Sequence, residues 1–258
     1  MARTPAVARP TSFEAALREI VQAESGEAAS AEVTAALDRL EQDLRTSGKL
    51  LTSWFFDEAG FSGIAVSAEA ADVPTATETL RTRRGSCLPL VAIYVSLVER
   101  TGIHAVPVAT PRHVFIRESG AGGPRNVELL EAGRERPDGD YLRQEKALLD
   151  DARAKTLLHE LSPRQLLAYL LNNHAVRLRA QGKLNDAGAV YRRALRLDAD
   201  CEPCQFNFGN LLAAQGKRRD ALRHYDRALE LHPWDEEAEK NRSRVVSGGV
   251  AAIRSSRP

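Results

Sequence analysis

Aromatic residues make up only 5% of the 258-residue chain, methionine occurs once and cysteine three times. Cys87, Cys201 and Cys204 are too few for a disulfide framework, which fits a reducing compartment. No apolar run approaches the ~20 residues of a membrane span. The opening M-A-R-T-P-A-V-A-R-P-T-S lacks the apolar core of a signal peptide. The expected location is the cytoplasm, with no membrane partner. Net charge is only +1, although 19 Lys/Arg against 13 Asp/Glu from Asp151 onward leave the second part basic and the first acidic. That excess comes without the interleaved aromatics of a stacking platform. It reads as solvated helix surface, and no nucleic-acid partner is expected. Apolar residues at 43% and charged residues at 28% describe a globular chain with material for one large or two medium domains.

Residues 1–11 are rich in Pro, Ala and Arg and are expected to be flexible, like the tail at 248–258. Thr11-Ser12 offers a cap for a first helix, with Phe13, Leu17, Ile20 and Val21 on one face. A second helix over about 30–46 carries Val33, Leu37, Leu40 and Leu44. Residues 50–61 hold much of this half's aromatic content and read as packing material, and 64–74 as a surface loop. A helix over 87–100 follows Gly85 and Ser86, with Leu88, Ala92, Val95 and Leu97/Val98 as its expected buried face and Gly102 as its C-cap. Pro89 is tolerated only in a first turn, so Cys87 must lie there too.

The stretch from Arg83 to Glu128 carries the chemistry. Cys87 sits at a helix start, where the dipole and free N–H groups favour a thiolate, and Arg83 and Arg84 add positive charge nearby. Three strands are expected after the helix, over 104–109, 112–117 and 125–130, the last two joined by E-S-G-A-G-G-P. His113 and Phe115 share one strand face, and Asn126 and Glu128 share a face of the next. Either of the latter can orient His113, because directly paired residues point the same way and register is open. The order Cys, His, then Asn or Glu is a way to build an activated thiol. Residues 131–150, with a turn at Pro137–Asp140, read as the exit from this domain.

A period of 34 runs through the C-terminal part: Asn173 maps to Asn207, Gly182 to Gly216, Ala187 to Ala221, Tyr191 to Tyr225 and Ala194 to Ala228. This is the spacing of tetratricopeptide repeats, here about 168–201 and 202–235. Helices over 151–162 and 235–246 are expected to cap the pair, since two repeats alone bury little core. Such arrays bind peptides or proteins in a groove. Asn172, Asn173, Arg179, Asn207 and Asn210 are the candidates to line it, unless the repeats only buttress the first domain. Cys201 and Cys204 have no second ligand pair, and His174, His224 and His232 stand at no ligand spacing from them, so they read as structural filler. No metal and no organic cofactor is expected.

Residues 50–130 resemble the transglutaminase-like superfamily, which shares the papain-type fold, and in particular its bacterial branch in which tetratricopeptide repeats follow. The resemblance rests on G-F-S-G at 60–63, R-R-G-S-C at 83–87, P-R-H-V-F-I-R at 111–117 and N-V-E at 126–128. It implies Cys87 as nucleophile, His113 as base, and Glu128, or else Asn126, as the residue orienting the histidine. The fold expected is α+β, a domain over 12–150 with helices packed on a small antiparallel sheet, followed over 151–247 by an all-α repeat array. Two functions follow. One is a cysteine-dependent acyl-transfer or amide-hydrolysing enzyme whose repeats recruit a protein. The other is a non-catalytic interaction scaffold.

Overall fold

The computed structural model describes residues 10–64, 73–120, 122–145 and 157–248. Its centre is a helix, α5 (Cys87–Thr101), in which every residue from Cys87 to Val98 is buried. The expectation of one buried face is too narrow. A helix apolar all round is stable only if covered all round, and here α1 (Phe13–Ser25), α2 (Glu27–Ser47), α4 (Ala76–Thr82) and the sheet provide the cover. The α1 and α2 stripes enter this core as their spacing predicts: Leu17, Ile20 and Val21 from one, and Val33, Leu37, Leu40 and Leu44 from the other. A short helix, α3 (Leu51–Asp57), adds Trp54 and Phe55, with the Phe61 ring stacked on Phe55 at 4.2 Å.

Tyr94 puts a hydroxyl into the middle of this apolar helix. Burial raises its pKa, and the group is satisfied by Thr52 at 2.8 Å and by donation to the Glu118 carboxylate. Arg125 closes the network from the far side of Glu118 at 2.6 Å. A buried hydroxyl without such partners would cost about 1–3 kcal/mol.

Five antiparallel strands form the main sheet, in the order β6 (Arg134–Glu135), β5 (Gly123–Glu128), β4 (Val114–Gly120), β3 (Ala105–Ala109) and β7 (His159–Glu160). A second, parallel pair joins β1 (Ser62–Gly63) to β2 (Arg84–Gly85). The β4–β5 hairpin is longer than expected, with Gly120 paired to Gly123 at its tip. The Pro137–Asp140 stretch is no exit turn; it starts a helix, α6 (Asp138–Gln144), with acidic residues in its first turn. Of the helix expected over 151–162, residues 151–156 lie outside those described, and 158–162 are not helical: His159 and Glu160 add an edge strand to β3.

Helices α7 (Pro163–Ala180) and α8 (Leu184–Leu197) form one hairpin, α9 (Glu202–Ala214) and α10 (Arg218–Leu231) a second, and α11 (Glu236–Val246) packs on α10. Gly182 and Gly216 turn the two hairpins at φ of 77° and 74°. Ala187, Ala194, Ala221 and Ala228 are fully buried, and a side chain at Gly209 would meet the Tyr225 ring at 2.9 Å. The first hairpin is anchored to α1 by a buried Arg177–Glu24 ion pair and by Arg193–Glu19.

Gly63 shows why the small β1–β2 pair matters. A Cβ there would lie 2.4 Å from the Leu130 Cα and 2.7 Å from its carbonyl oxygen, both backbone atoms that cannot swing away. Gly63→Ala is expected to destabilise the protein by about 1–3 kcal/mol, measured by denaturant unfolding. Gly120→Ala, where a Cβ meets nothing within 4 Å, should change stability far less.

Candidate functional site

Cys87 occupies the first position of α5, after Ser86 in extended backbone. Ser86 holds the capping position but makes no capping hydrogen bond, and its hydroxyl is buried without a partner among the described residues. The sequence explains this. A capping side chain serves the N–H of the second or third helical residue, and the third is Pro89, which has none. No capping side chain competes for the backbone N–H groups of Cys87 and Leu88, so they point out of the helix start as possible donors to an anion. The thiol is 4% exposed and is the free cysteine of the chain.

His113 is held at the entry to β4 by a tight turn. Its N–H donates to Thr110 Oγ1 at 3.0 Å, and its carbonyl accepts from the Thr110 N–H at 2.8 Å. Thr110 in turn donates to the buried Glu145 carboxylate at 2.6 Å, which also takes Arg112 Nε at 2.9 Å. Across the hairpin the register pairs Arg117 with Asn126 and Ile116 with Val127. The next step of the ladder sets Phe115 against Glu128, from which the longer glutamate reaches His113.

That register separates the two residues the sequence left as alternatives. His113 Nε2 lies 2.6 Å from Glu128 Oε2. Asn126 is directed elsewhere: it accepts from Arg117 Nε at 2.9 Å and donates to the Arg136 carbonyl and the Asp138 carboxylate. It fastens β5 to the start of α6 and does not reach the imidazole.

Glu128 is itself tightly held. Its Oε1 accepts from the Leu130 N–H at 2.9 Å, and Oε2 from the Tyr141 hydroxyl at 3.4 Å. Burial opposes its charge, but hydrogen bonding and attraction to His113 outweigh this and lower its pKa. Burial likewise opposes charge on His113. Hydrogen bonding with Cys87 and Glu128, and their negative charge, overcome it and raise the imidazole to about 10. With Glu128 on Nε2, the other ring nitrogen, Nδ1, is not engaged by the carboxylate. The arrangement supports an imidazolium paired with the Glu128 carboxylate, and such an imidazolium can give a proton to a leaving amine.

Sequence reasoning missed the supports. Tyr141 came from a stretch read as a domain exit, yet its ring stacks on Phe115 at 3.9 Å, lies near-parallel to His113 at 6.0 Å, and has the Arg136 guanidinium over it at 5.4 Å. Thr110 and Glu145 gave no signal, because each acts through the backbone of a turn. Arg83, expected to lend charge near the thiol, lies over the Phe61 ring at 4.7 Å.

The family model of the transglutaminase-like superfamily matches residues 16–172, more than half of the chain. The chain belongs to the transglutaminase-like superfamily. No curated protein matches it. The transglutaminase-like region thus extends from α1 through the sheet and into α7, beyond the segment on which the resemblance was drawn.

Cys201 and Cys204, expected to be filler, are joined as a disulfide. They lie at the cap and third position of α9, where their Cα atoms stand 5.2 Å apart, within bridging range. The expected groove residues are largely inside: Asn172, Asn173, Asn207 and Asn210 are buried, and only Arg179 is partly exposed. Asn207 donates to Asn172 at 3.0 Å, while Asn210 accepts from Tyr225 at 2.7 Å and from Asn241 at 3.1 Å. These short amides tie one helix to the next and do not form an open wall. Asn241 continues the 34-residue series of Asn173 and Asn207, and had gone unnoticed.

The charge pair sets a pH window for stability. His113, raised above its ordinary 6.5, contributes fully below that pH, and the contribution is lost as pH rises through about 10. Glu128, lowered, contributes above its ordinary 4.5, and the contribution is lost as pH falls through its depressed value. Glu128→Gln is therefore expected to cost most between about pH 4.5 and 6.5, with the difference from wild type shrinking towards pH 10. A loss of about 1–3 kcal/mol is expected, since His113 can shed its proton in the variant. Denaturant midpoints across pH measure it, and a pH-independent difference would contradict the pair.

Proposed function

We propose that this transglutaminase-like protein is a cysteine-dependent acyl-transfer or amide-hydrolysing enzyme. The observation that carries it is the His113–Glu128 contact at 2.6 Å beside α5, the helix that Cys87 opens and that packs on β4. Cys87 attacks the amide carbon of the substrate and forms a carbon–sulfur bond. The Cys87 and Leu88 N–H groups face the oxyanion. His113 gives its proton to the departing amine as the carbon–nitrogen bond breaks, leaving a thioester. It then takes a proton from water or an acceptor amine, which displaces the thiolate and restores the imidazolium. Glu128 orients the ring and stabilises its charge, held in turn by Tyr141 and the Leu130 N–H.

We also propose that the two C-terminal hairpins are tetratricopeptide repeats that recruit a protein partner. The 34-residue period, the glycine turns and the buried alanines support this. Burial of the four asparagines moves the contact surface to other residues, with Arg179 the member of the original set still at the surface. No described helix is long and apolar enough to cross a membrane. A cytoplasmic site of action fits that fact, whereas the Cys201–Cys204 bridge runs against a reducing compartment.

The burial of Cys87 favours a second reading, a non-catalytic scaffold in which the thiol is core packing. Alkylation separates the two. In the enzyme, native Cys87 reacts with iodoacetamide at neutral pH, and His113→Ala slows it roughly tenfold or more. With glutamine-containing peptides, Cys87→Ala abolishes amine release and His113→Ala lowers it by about 10²–10⁴. A thiol that reacts only after unfolding, in wild type and variant alike, leaves the scaffold.

A further inference from the structure

A second cluster of chemistry-bearing side chains lies where the sheet region meets the helical hairpins. Glu202 opens α9, His232 follows the last turn of α10, and Asp235 caps α11. All three are buried, and one donor atom from each lies within 4.8 Å of one from each of the others. Bonds of about 2.0–2.2 Å from a zinc-type ion place neighbouring donors roughly 3–4.4 Å apart. Small side-chain rotations would close this triangle around one ion.

Two of the three are oriented in the way ligands commonly are. His232 Nε2 donates to the Glu145 carbonyl at 3.2 Å, so in the neutral ring Nδ1 carries the lone pair. Asp235 Oδ1 accepts the N–H groups of Glu237 and Ala238, which fixes its carboxylate. A separate observation points the same way. A cavity of about 240 Å³ is lined by Pro111, His159, Tyr169, Asp198, Glu202 and Leu231, among others, with no lysine or arginine in its wall. Asp198 is 9% exposed; one of its oxygens accepts the Asp200 N–H, and Oδ2 has no hydrogen-bond partner among the described residues. Burial pushes its carboxyl above the ordinary range. The cavity thus brings a buried carboxyl oxygen without a partner among the described residues and Glu202 into one wall.

We propose that Glu202, His232 and Asp235 bind one first-row divalent cation of the zinc class, reached through this cavity. The ion would fasten the start of α9 to the α10–α11 joint, which His232 already links to the end of α6 through Glu145. The site is independent of Cys87.

Zinc titrated calorimetrically into the full chain carrying Cys87→Ala tests it, without reductant so that Cys201 and Cys204 stay paired and the catalytic thiol cannot compete. The expected result is one ion per chain and a melting temperature that rises with zinc. Glu202→Gln and Asp235→Asn, the latter keeping a capping acceptor, should each weaken binding roughly tenfold or more. No saturable binding, or binding that both variants leave unchanged, overturns the proposal. Should a variant fail to fold, the nitrogen resonances of the Cys87→Ala chain decide. A zinc-dependent shift of His232 Nδ1 supports the site, and shifts confined to other histidines overturn it.

Discussion

Burial of α5 from Cys87 to Val98 is the constraint on which the rest of the molecule depends. A helix with every residue from Cys87 to Val98 buried must be wrapped by other elements. The wrapping decides the architecture: α1 and α2 on one side, the sheet on another, and α1 in turn seated against α7. Because the helix cannot shift without disturbing all of these contacts, its first turn is a fixed point. Cys87, placed there, is held by packing, with no loop to carry it.

The imidazole is held by a different device. A strand end is normally loose, but the Thr110–His113 turn is locked by reciprocal backbone and hydroxyl bonds, with Glu145 behind it. The β4–β5 register then brings in Glu128 from the neighbouring strand. Cys87, His113 and Glu128 come from three segments whose relative positions are each set by hydrogen bonding or close packing. Such support holds a reactive geometry within tenths of an ångström. The same enclosure leaves Cys87 only 4% exposed.

The helical hairpins are more than an appendage. Arg177 and Arg193 reach α1, Cys204 lies in the central core, and His232 bonds to the end of α6. The buried Asn172–Asn207 and Asn210–Asn241 contacts turn polar positions that looked suited to a partner into internal fastenings.

Much of this was legible in the chain itself. Apolar spacing at 3.6 residues located α1 and α2, the conflict between Pro89 and a helix interior placed Cys87 in the first turn, and the 34-residue period located the hairpins. Local chemistry is sufficient for such features, because propensity, capping and periodicity act within a few residues. Tertiary structure alone decided the rest. Strand register chose Glu128 over Asn126, since one step of slip changes every cross-strand neighbour. Chain folding brought Tyr141 onto Phe115, and Glu202, His232 and Asp235 onto one another. It also closed Cys201 to Cys204 and buried the asparagines. Apart from the Cys201–Cys204 bridge, which spans three residues at the start of α9, each of these depends on distances between residues far apart in sequence or on which helix face is covered, and no pattern of spacing encodes that.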